Sequence, residues 1–74
     1  MIHSPMKHYT VSVRKKVYKR LSKAPPEIQQ LFDELTEDLE EHGPIQSTWK
    51  NFSKLEKNTY HCHLAYSWVA CWRY

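Results

Sequence analysis

The stretch "NTYHCHLAYSWVACWRY", residues 58–74, holds the residues best placed to do chemistry. His61 and His63 flank Cys62 at i and i+2 spacing. In a strand, i and i+2 share one face with Cα atoms about 6.5–7 Å apart, a span that brackets a phosphate. Histidine, with an unperturbed pKa of about 6.5, serves as acid or base near neutrality. Cleaving RNA with its own 2′-hydroxyl needs a base for that proton, positive charge on the phosphate and an acid for the leaving 5′-oxygen. Lys50, Lys54 and Arg73 are candidates for the charge. Tyr66 or Trp68 is suited to stack a splayed base. The plainer alternative is a solvent-facing histidine pair with no chemistry.

Metal binding competes for the same residues. In a strand Cys62 points away from the two histidines, and a closed zinc site needs four ligands, usually from separated pairs. Cys71 or the distant His3, His8 or His42 would have to complete it. No metal or cofactor is therefore assigned. Two cysteines are too few for a disulfide scaffold; a single Cys62–Cys71 bridge is the alternative to the expected pair of reduced, buried thiols. Tyr60, Cys62, Leu64, Val69 and Cys71 are assigned to core or sheet packing.

The elements around these residues follow from periodicity. A length of 74 residues allows one domain, spanning 1–74, with residues 1–6 expected to be disordered. "KHYTVSV" alternates, with Tyr9, Val11 and Val13 on one side, and predicts a strand. "RKKVYKRLSKA" predicts a short basic amphipathic helix with Val17, Tyr18 and Leu21 on its apolar side. It stops before Pro25-Pro26, because a residue preceding proline avoids the helical region. Ile28, Leu31, Phe32, Leu35 and Leu39 form the stripe of a second helix, from about Pro26 to His42. Gly43 closes it and Pro44 forbids its continuation. Its late acids, Glu40 and Glu41, oppose the helix dipole and point to a cationic neighbour.

After Pro44 the helical pattern ends. "STWKNFSKLE" reads as extended, Lys57-Asn58 as a turn and "TYHCHL" as an alternating strand. "SWVACWRY", nearly all apolar, suits a central strand covered on both faces. The hairpin connection at Ala65-Tyr66-Ser67 lacks Gly, Asn or Asp. The expected class is α+β, a two-helix layer on a small antiparallel sheet.

Charge is segregated. Residues 1–24 carry seven Lys or Arg and no acid, residues 25–42 carry seven acids and no Lys or Arg, and residues 43–74 carry four basic residues and one acid. The basic block, with Arg14, Lys15, Lys16 and Lys19, suits a polyanion such as RNA. It equally suits a solvated helix face. The N-terminus has no apolar signal-peptide core, and no stretch approaches the ~20 apolar residues of a membrane span.

The order of these motifs resembles the RelE/ParE superfamily of bacterial toxin–antitoxin toxins. "YTVSVRKKVYKRL" corresponds to the first strand and helix, "APPEIQQLFDELTEDLEEHGP" to the helical hairpin closed by Gly-Pro, and "WKNFSKLEKNTYHCHLAYSWVACWRY" to the strands. The resemblance implies β-α-α-β-β-β order and the RelE-type branch, a ribosome-dependent mRNA endonuclease that inhibits translation. It places catalysis on His61 and His63, where ribonuclease members carry basic residues. It implies RNA contacts from Arg14, Lys15, Lys16, Lys19, Lys50, Lys54, Tyr66 and Arg73. It further implies a cytoplasmic protein with a cognate antitoxin, and mRNA on the ribosome as target. Two departures are visible: Ser67 stands where an Arg often follows an aromatic residue, and the sequence lacks the family's usual C-terminal strand with a further Arg. These favour an alternative: a ParE-like gyrase-binding toxin, or an inactive form that only binds antitoxin. Without that strand, "SWVACWRY" becomes a sheet edge and a possible homodimer contact.

Overall fold

The computed structural model describes residues 8–74, so the expected disorder over residues 1–6, and His3 with it, lies outside the described residues. Two helices precede three antiparallel strands: α1 Lys15–Ser22, α2 Pro26–His42, β1 Ser53–Glu56, β2 Thr59–Ala65 and β3 Trp68–Arg73. The sheet order is β1-β2-β3. The α+β class and both helices agree with the periodicity.

The helix ends have local causes. α2 begins at Pro26, whose missing N–H is needed by no intrahelical bond there. It ends at Gly43, with φ at 87° and its N–H donated to the Leu39 carbonyl at 2.9 Å. His8 and Tyr9 both give their N–H to the Glu40 carbonyl at 3.0 Å. Gln46, 4% exposed, adds Nε2 bonds to the carbonyls of Gly43 at 2.7 Å and Asp38 at 3.0 Å. Trp49 Nε1 donates to Asp38 Oδ2 at 2.8 Å, and Trp72 Nε1 to the Pro44 carbonyl at 3.0 Å. The segment after Gly43 is thereby clamped between the end of α2 and the sheet.

The core lies between α2 and one face of the sheet. Leu35, Leu39 and Cys62 form its centre, with Val11, Trp49, Phe52, Leu64, Ala70 and Trp72 packed around them. Phe52, Tyr60 and Trp72 stack, with centroids 5.8–6.4 Å apart. α1 contributes no buried residue, and Val17 and Tyr18 of its expected apolar side are exposed.

Two expected strands differ. The segment 8–14 is extended but forms no strand. Its first N–H groups are spent on Glu40, and Tyr9 seats over Gly43, which holds it on the helix end rather than in a ladder. β3 is an edge strand covered on one face, not a central one. Trp68, Ala70 and Trp72 are half-buried, while Val69, Cys71 and Arg73 are exposed.

Candidate functional site

β2 sorts its side chains by the period of two. Tyr60 and Cys62 are buried against the helix layer. His61 and His63 therefore leave the opposite face, which is turned away from α2. Their rings are 5.7 Å apart and inclined at 56°. Ser53 Oγ of β1 lies 3.1 Å from His61 Nδ1. In the tautomer that donates Nδ1–H to this hydroxyl, Nε2 keeps a free lone pair directed away from β1.

Two shifts in register assemble the rest of this face. In the β2–β3 hairpin Ala65 pairs with Trp68, but His63 pairs with Val69 and His61 with Cys71. One extra residue, Leu64, causes the shift. An unbroken ladder from Ala65–Trp68 would have set Cys71 opposite Cys62, in the core. A one-residue slip moves a strand's side chains to the other face. A second shift, between Lys54 and Glu56, sets Ser53 opposite His61. The row Ser53–His61–Cys71 thus crosses all three strands. Arg73 pairs with Thr59 on the same face.

Of the residues assigned to core or sheet packing, Val69 and Cys71 are not in the core: both lie in β3, exposed on the histidine face. The expectation of two buried thiols is corrected in the same way, since Cys71 is exposed and Cys62 buried. Ser53 was not singled out for this site by sequence, and Cys71 only as one of several residues that would have to complete a metal site. Alternation alone does not find them, because the shifted registers decide their side.

The anticipated RNA-binding residues divide into groups. Arg73 shares the histidine face. Lys50 lies beside it, its carbonyl accepting the His63 N–H at 2.8 Å. Lys54 pairs with Tyr60, on the alternate side of the ladder. Tyr66 sits in the hairpin turn at φ 53°. The Glu27 carboxylate nearby, as acceptor for its hydroxyl and through its charge, pushes the phenol pKa up. Arg14 precedes α1, and Lys15, Lys16 and Lys19 lie on it; α1 packs against α2, in the layer behind the sheet.

A second feature is a groove of about 710 Å³ between the 8–14 segment and β3, lined by Tyr9, Val11, Val13, Phe32 and Trp72 among others. Tyr9 and Tyr74 meet edge to face at its side, 6.3 Å between centroids. Among the described residues no helix is long and apolar enough to cross a membrane.

The chain matches no protein-family model, no curated protein and no solved structure.

Proposed function

We propose that this protein is a RelE/ParE-type toxin that binds mRNA on the ribosome across the open face of its sheet and cleaves it there. The observation that carries the reading is the pair of imidazoles, 5.7 Å apart, on the sheet face turned away from the helix layer. The helical pair closed by Gly43-Pro44 and the three-stranded antiparallel sheet after it are compatible with that superfamily. The superfamily's first strand is not formed among the described residues, where the order is α-α-β-β-β.

In this reading His61 is the base. In the tautomer that donates Nδ1–H to Ser53 Oγ, Nε2 takes the proton of the 2′-hydroxyl. The 2′-oxygen attacks phosphorus, and the bond to the 5′-oxygen breaks. A protonated His63 gives that oxygen its proton. The products are a 2′,3′-cyclic phosphate and a 5′-hydroxyl. Arg73, with Lys50 beside the face, offsets the charge that builds on the phosphate oxygens. Such a protein acts in the cytoplasm and is held in check by a cognate antitoxin. Primer extension on translating ribosomes tests the assignment. Cuts in the ribosomal A site are expected from the natural chain and not from the His61→Ala/His63→Ala double variant. Undiminished cutting by that variant removes both residues from the mechanism.

One observation favours a second reading, a ParE-like or catalytically inactive toxin that works by binding. The outer edge of β3 lies beside the apolar groove, and such an edge accepts a strand from an antitoxin or from a second copy of the chain. Gyrase inhibition without mRNA cleavage would select this reading over the first.

A further inference from the structure

We infer that the row of donors on the open sheet face binds a zinc ion through His61, His63 and Cys71, with a fourth position left to water. His61 and His63 supply nitrogen from neighbouring positions on one face of β2. Cys71 supplies sulfur from the position directly across the ladder from His61. Direct cross-strand partners hold their Cβ atoms about 4.5–5.5 Å apart, and i, i+2 neighbours hold their Cα atoms about 6.5–7 Å apart. A tetrahedral zinc needs metal–ligand bonds of about 2.0–2.3 Å; the three donor atoms are not gathered within 4.8 Å of one another in the structure, so the ion draws them together by rotation about χ1 and χ2. Two imidazoles and one thiolate suit a borderline-soft ion, and three protein ligands leave the open position of a non-structural site.

Two further features support it. Ser53 Oγ sits 3.1 Å from His61 Nδ1, an outer-shell partner that a ring ligating through Nε2 can keep. All three donors are reachable from solvent: Cys71 is exposed and the two histidines are half-exposed. On binding, the Cys71 thiol gives its proton to solvent and its sulfur to the ion. An occupied site leaves no imidazole free for proton transfer, so zinc and RNA cleavage exclude each other on this face. The binding itself is read without RNA, and stands or falls apart from the ribonuclease proposal.

The competing site is at the end of α2, where donor atoms of Asp38, Glu41 and His42 already lie within 4.8 Å of one another. Asp38 Oδ2 there is engaged by Trp49 Nε1, and that group offers no sulfur. Cobalt separates the two. The full chain, without a histidine tag and kept reduced, is titrated with Co²⁺. The expected result is a sulfur-to-cobalt charge-transfer band that saturates at one equivalent and disappears when Zn²⁺ is added. Cys71→Ser should abolish the band, and its exposed position predicts unchanged far-ultraviolet circular dichroism of the metal-free protein. His61→Gln and His63→Gln should each weaken binding at least tenfold, while His42→Gln leaves the spectrum unchanged. Absence of a saturating band, its survival in Cys71→Ser, or its loss in His42→Gln would overturn the inference.

Discussion

Cys62 and Cys71 occupy paired strands one register step apart, yet their side chains leave the sheet in opposite directions. Cys62 is 0% exposed, and its thiol pKa is pushed up from 9.0 to about 11, first by burial and then by the charge of Cys71. A thiol reagent applied to the native protein should modify one equivalent, at Cys71, and reach Cys62 only after denaturation. Mass mapping of the labelled peptides checks this; equal labelling of both cysteines under native conditions would contradict the assigned faces.

The same shift sets a direction for stability in alkali. Cys62 holds its proton in the folded protein over a window where the unfolded chain has already lost it. The unfolded state therefore binds fewer protons from about pH 9 to pH 11, and stability falls with pH across that window. Below pH 9 this contribution is fully present. Urea midpoints of the natural chain should drop more steeply between pH 9 and 11 than those of Cys62→Ala, whatever the difference in their starting values.

Leu35 is 2% exposed at the centre of the core. Leu35→Ala removes its contacts and leaves a cavity, at a cost of about 2–5 kcal/mol. A domain of this size has little margin, so the variant should be largely unfolded near body temperature. A thermal melt within a few degrees of the natural protein would show that α2 is not seated on the sheet as described.

Gly43 carries both a left-handed backbone and a close neighbour. Its φ is 87°, and an added Cβ would lie 2.6 Å from Cζ of Tyr9 and 2.9 Å from Cε1. With ψ at −167°, this is a backbone region essentially restricted to glycine, and Gly43→Ala should cost about 1–3 kcal/mol from the backbone term, with the ring clash added. In a Tyr9→Ala background the clash is absent and the backbone term remains. The cycle of the two substitutions, read by urea denaturation, should show a smaller but non-zero penalty for Gly43→Ala. An unchanged penalty would place Tyr9 elsewhere.

If RNA lies on the histidine face, its phosphates meet Arg73 and not the layer behind the sheet. Arg73→Ala should weaken binding of single-stranded RNA and reduce the slope of log K against log salt by about one. A Lys16→Ala/Lys19→Ala double variant on α1 should change that binding far less. The reverse ranking would move the RNA to the basic helix and separate it from His61 and His63.

Much of the architecture was legible in the residues, because local physics decides it. The Ile28–Leu39 stripe, the prolines at its start and Gly43 at its end define α2 with no help from the rest of the chain. Alternation in "TYHCHL" is enough to place both imidazoles on one face and Cys62 on the other. The turn at Tyr66-Ser67 forms without glycine, with Tyr66 itself taking the left-handed conformation.

What surrounds the two histidines was settled by tertiary structure. Pairing register is a property of two strands at once, and one extra residue, Leu64, carries Cys71 from the core side to the open face. The shift beside Leu55 does the same for Ser53. The basic block reads in sequence as a neighbour for the histidines, but packing of α1 on α2 sets it in the layer behind them. Strand character over residues 8–14 likewise needs an edge to bond, and the amides of His8 and Tyr9 find the Glu40 carbonyl in the last turn of α2 instead. Periodicity encodes which way a side chain faces along its own element; which elements meet, and in what register, is a sum over contacts far apart in the chain.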